Sequence, residues 1–172
     1  MTNLKKVHNF YKNKHKIKKI ILSRTDKHEI IHGARAINKQ VSPSYLDTPT
    51  TDFDIFSKKP KKDAKETEKA LDKEFGGDYF YVKKGRHKGT WKVKSKVNEQ
   101  TYADYTKPNK KIPSKTINKL RYARLNYLKQ HILKTLKDPK QSFRHAKDKD
   151  ALNRILVYER LKKQIKLKTK GL

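Results

Sequence analysis

Cysteine is absent from this sequence, which removes disulfides, thiol catalysis and cysteine-ligated zinc together. Acids are scarce: 17 Asp and Glu stand against 46 Lys and Arg, giving a formal net charge of +29 and a pI of about 10.2. No apolar run approaches membrane-spanning length and no signal peptide is visible, so no membrane association is expected. An intracellular or virion setting is the expectation. Hydrophobic residues make up 33%, so only part of the 172-residue chain is expected to bury a sizeable core. The seven histidines show no metal-ligand spacing, and no zinc site is assigned to them.

What the chain has in excess is lysine. It outnumbers arginine 38 to 8. Lysine is a point charge, whereas arginine is a fork that reads base edges. The excess points to attraction to the backbone of a polyanion, with nucleic acid the expected partner. The charge is uneven. Residues 1–24 carry 8 basic residues and no acids, residues 25–106 carry 17 and 13, and residues 107–172 carry 21 and 4. This predicts a basic amphipathic N-terminal helix or arm over 1–24, an α/β core over 25–106 and a basic helical hairpin over 107–172.

Hydrophobic periodicity fills in the elements. Val7, Phe10, Tyr11, Ile17, Ile20 and Ile21 recur at helical spacing over residues 4–22. Residues 29–32 read as a short strand ending at Gly33, followed by a helix over 34–40 and a loop over 42–51. Residues 52–57 read as a strand, and 62–75 as a helix stopped by Gly76-Gly77. Three further strands, mostly antiparallel, are predicted at 79–83, 90–97 and 101–105. After a linker at 107–113, Ser114 is expected to cap a helix running to Lys137, broken by Asp138-Pro139. A last helix is predicted over 143–168, with Leu152, Ile155, Leu156, Leu161 and Ile165 inward. The fold class is therefore α+β with a small mixed β-sheet.

The most informative stretch is Thr51-Asp52-Phe53-Asp54-Ile55. In a strand, residues i and i+2 share a face, so Asp52 and Asp54 stand side by side and repel. They require solvent around them or a cation between them. Mg²⁺ takes one or two carboxylates together with phosphate oxygens and water, and two such ions can clamp an in-line phosphoryl displacement. A third carboxylate on a neighbouring strand would complete such a site. Asp104 is the best candidate, because it lies within the β-prone run Thr101-Tyr102-Ala103-Asp104-Tyr105, where Asp is normally depleted. Glu99 is second, in a turn.

Gly33-Ala34, the Asp52-Phe53-Asp54 strand and the later Asp104 together resemble the nucleotidyltransferase superfamily with the polymerase-β-type core. Minimal nucleotidyltransferases of large DNA viruses and phages look similar over about residues 28–156, including the tail segment from Phe143 to Leu152. The resemblance implies a nucleotidyltransferase-like core flanked by the basic N-terminal helix and the C-terminal hairpin. It implies that Asp52, Asp54 and Asp104 are catalytic and bind Mg²⁺ or Mn²⁺. It also implies that Gly33 and Ala34 approach the triphosphate of an NTP. Arg35 and Lys39 are offered as phosphate contacts on charge and proximity alone. Two departures stand out. Ala34 replaces the Gly or Ser of the family pattern, and the interval from Gly33 to Asp52 is long.

Lys83, Lys84, Arg86 and Lys88 form a basic, glycine-containing strand connection suited to gripping a nucleic-acid backbone, with Tyr79, Phe80, Tyr81 and Trp91 beside it. The simpler reading makes this a hairpin loop and most of those rings core. Two functions remain open from the sequence. One is Mg²⁺-dependent transfer of an NMP from an NTP to an acceptor hydroxyl on RNA or DNA. The other is a non-catalytic, basic nucleic-acid-binding protein, virion or nucleoprotein, that keeps the fold.

Overall fold

The computed structural model describes residues 13–170. The first part of the expected N-terminal helix, including Val7, Phe10 and Tyr11, lies outside the described residues. The chain divides into two compact units. One joins the segment up to Ile31 with Thr51–Tyr122, and the other joins His32–Thr50 with the chain from Ala123 onward.

The first unit is built on a mixed seven-stranded sheet. Its strands are β1 (Ile30–His32), β2 (Phe53–Phe56), β3 (Phe80–Lys84), β4 (Thr90–Ser95), β5 (Thr101–Thr106), β6 (Ser114–Ile117) and β7 (Leu120–Ala123), in the order β3-β4-β5-β2-β1-β7-β6. The segment β3-β4-β5 is antiparallel, while β2 runs parallel to β5 and β1 parallel to β7. Alternation sets the faces. Phe53 and Ile55 of β2, Phe80 of β3, Val93 of β4 and Tyr105 of β5 are buried to 2% exposure or less. Each such side chain contributes about 1.5–3 kcal/mol by leaving water.

Helix α1 (Lys14–Arg24) lies against helix α3 (Pro60–Phe75) through the buried Ile17 and Ile21. Its lysines face outward, as the spacing predicts. The α3 helix covers the sheet with Ala64, Thr67 and Leu71, and the Thr67 hydroxyl shares a 2.7 Å hydrogen bond with the phenol of Tyr105. Pro60 opens α3, where its missing N–H costs nothing, and Asp63 in the first turn bonds Ser57 Oγ. Gly76 closes it at φ 69°, a left-handed conformation that glycine adopts without penalty.

The structure corrects one element. Residues 114–123 are not the start of a long helix but the hairpin β6–β7, and the helix begins only at Leu125. Asn118 and Lys119 both take positive φ, 49° and 66°, as a tight two-residue hairpin turn demands. Strand β7 is then held by pairing with β1, Ile31 opposite Tyr122. Leu120, Ala123, Leu125 and Leu128 happen to continue a helical phase backward, so periodicity alone favoured the wrong element.

The second unit is helical. It holds α2 (Gly33–Asn38), a 3-10 turn at Ser44–Leu46, α4 (Leu125–Leu136), a 3-10 turn at Pro139–Arg144 and α5 (His145–Lys170). Asp138 accepts from Lys140 N and opens the second turn, the break expected at Asp138-Pro139. His145 Nε2 lies 3.0 Å from the Thr135 carbonyl and 3.1 Å from that of Asp138, so Nε2–H donates and closes the end of α4. Arg154 is buried and donates to Asn38 Oδ1 (2.8 Å) and the Leu46 carbonyl (2.9 Å), tying α5 to α2 and the first turn. Ile165, expected inward, is 63% exposed. From Lys162 to Thr169 every α5 side chain faces solvent, so helical spacing there does not report burial.

Candidate active site

Parallel pairing of β2 with β5 sets Phe53 opposite Ala103, Asp54 opposite Asp104 and Ile55 opposite Tyr105. Paired residues on neighbouring strands share a face. Phe53, Ala103, Ile55 and Tyr105 point into the core, so Asp54 and Asp104 stand together on the opposite face. Asp52 precedes β2, half-buried, near enough for its charge to act on Asp104. The row continues onto β4 and β3. Lys92 is paired with Asp104, and Lys83 with Lys92.

Asp104 is the most constrained of the acids. Its side chain is 18% exposed, and Oδ2 forms an ion pair with the Lys92 ammonium. Oδ1 is buried without a hydrogen-bond partner among the described residues. Burial pushes its carboxyl above the usual carboxylate range. The Lys92 bond and charge oppose that shift, and Asp52 adds to it. A buried, unmet carboxylate oxygen is costly unless a ligand satisfies it.

These residues offer hard oxygen donors, the chemistry that suits Mg²⁺ or Mn²⁺. Among the described residues, no three His, Cys, Asp or Glu side chains gather closely enough to hold a metal by themselves. Mg²⁺ is commonly held by one or two carboxylates, with substrate phosphates and water completing its shell. The adjacent carboxylates of Asp54 and Asp104, with the unspent Oδ1, fit that requirement.

The other expected site residues fall in two places. Gly33, Ala34, Arg35 and Lys39 belong to the second unit, apart from the acids in chain grouping. Gly33 ends β1 at φ 64°, a turn that only glycine makes easily. Ala34 is half-buried in the first turn of α2. Arg35 Nη2 donates to the Thr50 carbonyl at 3.1 Å, and Lys39 is exposed at the helix end. Lys83 and Lys84 end strand β3 rather than lying on the connection, Arg86 and Lys88 stand on the turn to β4, and all four are exposed, with Gly85 N–H donating to Thr90 O at 2.8 Å. Of the neighbouring rings, Phe80 is core, edge-on to Tyr102, whereas Trp91 is half-buried with Lys61 4.9 Å from its ring centre.

Lys92 is the site residue that the sequence did not yield. The alternation Trp91-Lys92-Val93-Lys94 marks it as facing away from the core, but its partner is fixed by the β4–β5 register.

Sheet, acids and helices together define a nucleotidyltransferase-like fold. Residues 15–142 match the poly(A) polymerase catalytic subunit family, and the chain belongs to that family. Among solved structures, it is similar to the crystal structure of the Megavirus polyadenylate synthase, with a TM-score of 0.74 and 22% identity over 86% of this chain and 32% of that one. It is also similar to the crystal structure of JHP933 from Helicobacter pylori, with a TM-score of 0.53 and 16% identity over 81% of this chain and 63% of that one. The chain thus spans about a third of the length of the Megavirus protein. No curated protein sequence gives a match.

Proposed function

We propose that this chain transfers AMP from ATP to the 3′ hydroxyl of an RNA, with release of pyrophosphate and dependence on Mg²⁺ or Mn²⁺. The observation that carries this reading is the β2–β5 register, which sets Asp54 beside Asp104 on the face opposite Phe53 and Ile55. Family membership supports nucleotidyl transfer. The likeness to the Megavirus polyadenylate synthase supports adenylate as the nucleotide and a viral setting.

Bound divalent metal would activate the acceptor hydroxyl and neutralise charge on the reacting phosphate. Asp52 and Asp54 would hold it, and Asp104 would bridge toward the acceptor side. The backbone of β2 and β5 fixes the Asp54 and Asp104 carboxylates before substrate arrives, so little ordering is left for the reaction. Gly33 and Ala34 are the proposed approach for triphosphate, with Arg35 and Lys39 as phosphate contacts. Arg35 is partly engaged by Thr50, so Lys39 has the freer reach. Lys83, Lys84, Arg86 and Lys88 are proposed to hold the RNA backbone as point charges.

The test is incubation with each labelled NTP, Mg²⁺ or Mn²⁺, and RNA or DNA acceptors, with Asp52→Asn alongside. The expected outcome is metal-dependent transfer from ATP that collapses in the variant while RNA affinity holds or rises. Tight, salt-sensitive RNA binding with no transfer from any NTP would favour the binding-protein reading, which the substitution of Ala34 in the turn also suits.

A further inference from the structure

We infer that Lys92 is a positioning residue of the metal centre, a tethered cation that holds Asp104 until a divalent ion displaces it. The inference rests on the proposed metal role of Asp52, Asp54 and Asp104.

Three observations converge on it. The first is register. Asp54, Asp104, Lys92 and Lys83 follow one another across β2, β5, β4 and β3, so Lys92 is the first cation met beside the acids. The second is incomplete pairing. The ammonium takes Oδ2 of Asp104 and leaves Oδ1 buried and unmet. A salt bridge kept for structure looks different in this same chain. Both oxygens of buried Asp148 accept from Arg144, at 3.1 and 3.3 Å. The third is charge balance. The Asp52 charge acts on Asp104 against that of Lys92, and a divalent ion would bring twice the positive charge of one ammonium to the same carboxylate.

Lysine suits the task chemically. Its charge sits at the end of a flexible four-carbon stem, so it can leave Oδ2 without moving the strand. The buried Val93 next to it keeps the β4 backbone in register while the ammonium swings.

The test is direct binding of Mn²⁺ to nucleotide-free protein, read by electron paramagnetic resonance. It compares wild type with Lys92→Met, Lys92→Gln, Lys92→Arg, Lys94→Met and Asp104→Asn. Lys94 is the control, because it lies two residues along the same strand and pairs with Glu99 at 2.9 Å. Without its competitor the site is expected to bind Mn²⁺ about tenfold more tightly in Lys92→Met, the worth of one charge-assisted hydrogen bond released. Lys92→Gln, the better-hydrated variant should Lys92→Met fold poorly, is expected to show the same gain. Lys92→Arg is expected to bind no tighter than wild type, and Lys94→Met to shift by less than about twofold, because the Lys94 charge is spent on Glu99 rather than on Asp104. Combining Asp104→Asn with Lys92→Met is expected to erase the gain. Equal shifts in Lys92→Met and Lys94→Met would overturn the inference, because only net charge would then matter. Unchanged Mn²⁺ affinity in both Lys92→Met and Lys92→Gln would overturn it too, while leaving the metal reading intact. Absence of Mn²⁺ binding in every protein, wild type included, would overturn the metal reading and this inference with it.

Discussion

Asp104 and Asp148 are both largely buried aspartates facing a cation, yet one is fully paired and the other is not. In the helical unit, Asp148 sits in the first turn of α5, where the helix dipole favours a negative charge, and Arg144 occupies both its oxygens. Nearby Arg154 spends its charge on carbonyl and amide oxygens of the same unit. In the sheet unit, Asp104 has one oxygen in an ion pair and one buried with no partner among the described residues. The two met oxygens of Asp148 suit a structural role, whereas the half-met carboxylate of Asp104, set beside Asp54 by the strand register, suits a ligand.

The largest effects should separate these two aspartates. Asp104→Asn is expected to lower AMP transfer about a thousandfold, in line with losing an electrostatic group aimed at the reacting phosphate. It is expected to leave stability within about 1 kcal/mol, since the charge it removes is poorly compensated. Asp148→Asn should do the reverse, costing about 1–2 kcal/mol of stability through the lost charge-assisted bonds and leaving transfer per folded molecule unchanged. Denaturant unfolding and initial rates on the same preparations check both. If Asp148→Asn proves the more damaging to catalysis, the contrast is wrong.

The next effect is a pH dependence centred on a third buried acid. Glu29 is 4% exposed, and burial raises its carboxyl to about 7, helped by the charges of Asp63 and Asp26 and opposed by a backbone hydrogen bond from Asp26 and by Arg24. A carboxyl with a folded pKa above its unfolded one favours the folded state at low pH. That contribution is present in full below about 4.5 and is lost as pH rises through about 7. The expected loss is about 2–3 kcal/mol across that window. His32 acts in the opposite sense, because burial lowers it to about 3, so its contribution holds above 6.5 and falls away toward pH 3. The two slopes partly cancel in the wild type. The difference between wild type and Glu29→Gln isolates the first, and it should grow in favour of the variant from pH 4.5 to 7. A difference flat with pH in urea titrations would remove Glu29 from the account.

The smallest effect concerns the corrected hairpin. Lys119 stands at φ 66°, where a side chain is strained and glycine is not. Lys119→Gly should raise stability by up to about 1 kcal/mol by thermal unfolding. A loss of that size would show that the turn is not as described.

Legibility followed locality. Strands β2 to β5 and helix α3 carry their own punctuation, alternation on the strands and Gly76 at φ 69° after the helix, so sequence located them to within two or three residues. Hairpin β6–β7 was misread because its strand identity rests on a long-range pairing with β1, while its apolar residues extend the phase of α4. In the candidate site, the acids were visible because carboxylates are conspicuous in β-prone runs. Their juxtaposition was not, since Asp54 and Asp104 meet only through a parallel pairing fifty residues apart in sequence. Lys92 stayed hidden for the same reason, one more lysine among 38 until the register gave it a partner.

The measurement that tests the central claim most directly is the initial rate of label transfer from ATP to RNA, with Mn²⁺, by wild type and by Asp54→Asn at equal folded concentration. The account predicts transfer by the wild type that disappears on chelation and falls at least about a hundredfold in the variant. Equal rates in the two proteins would contradict it, because the Asp54–Asp104 pair would then have no part in the chemistry.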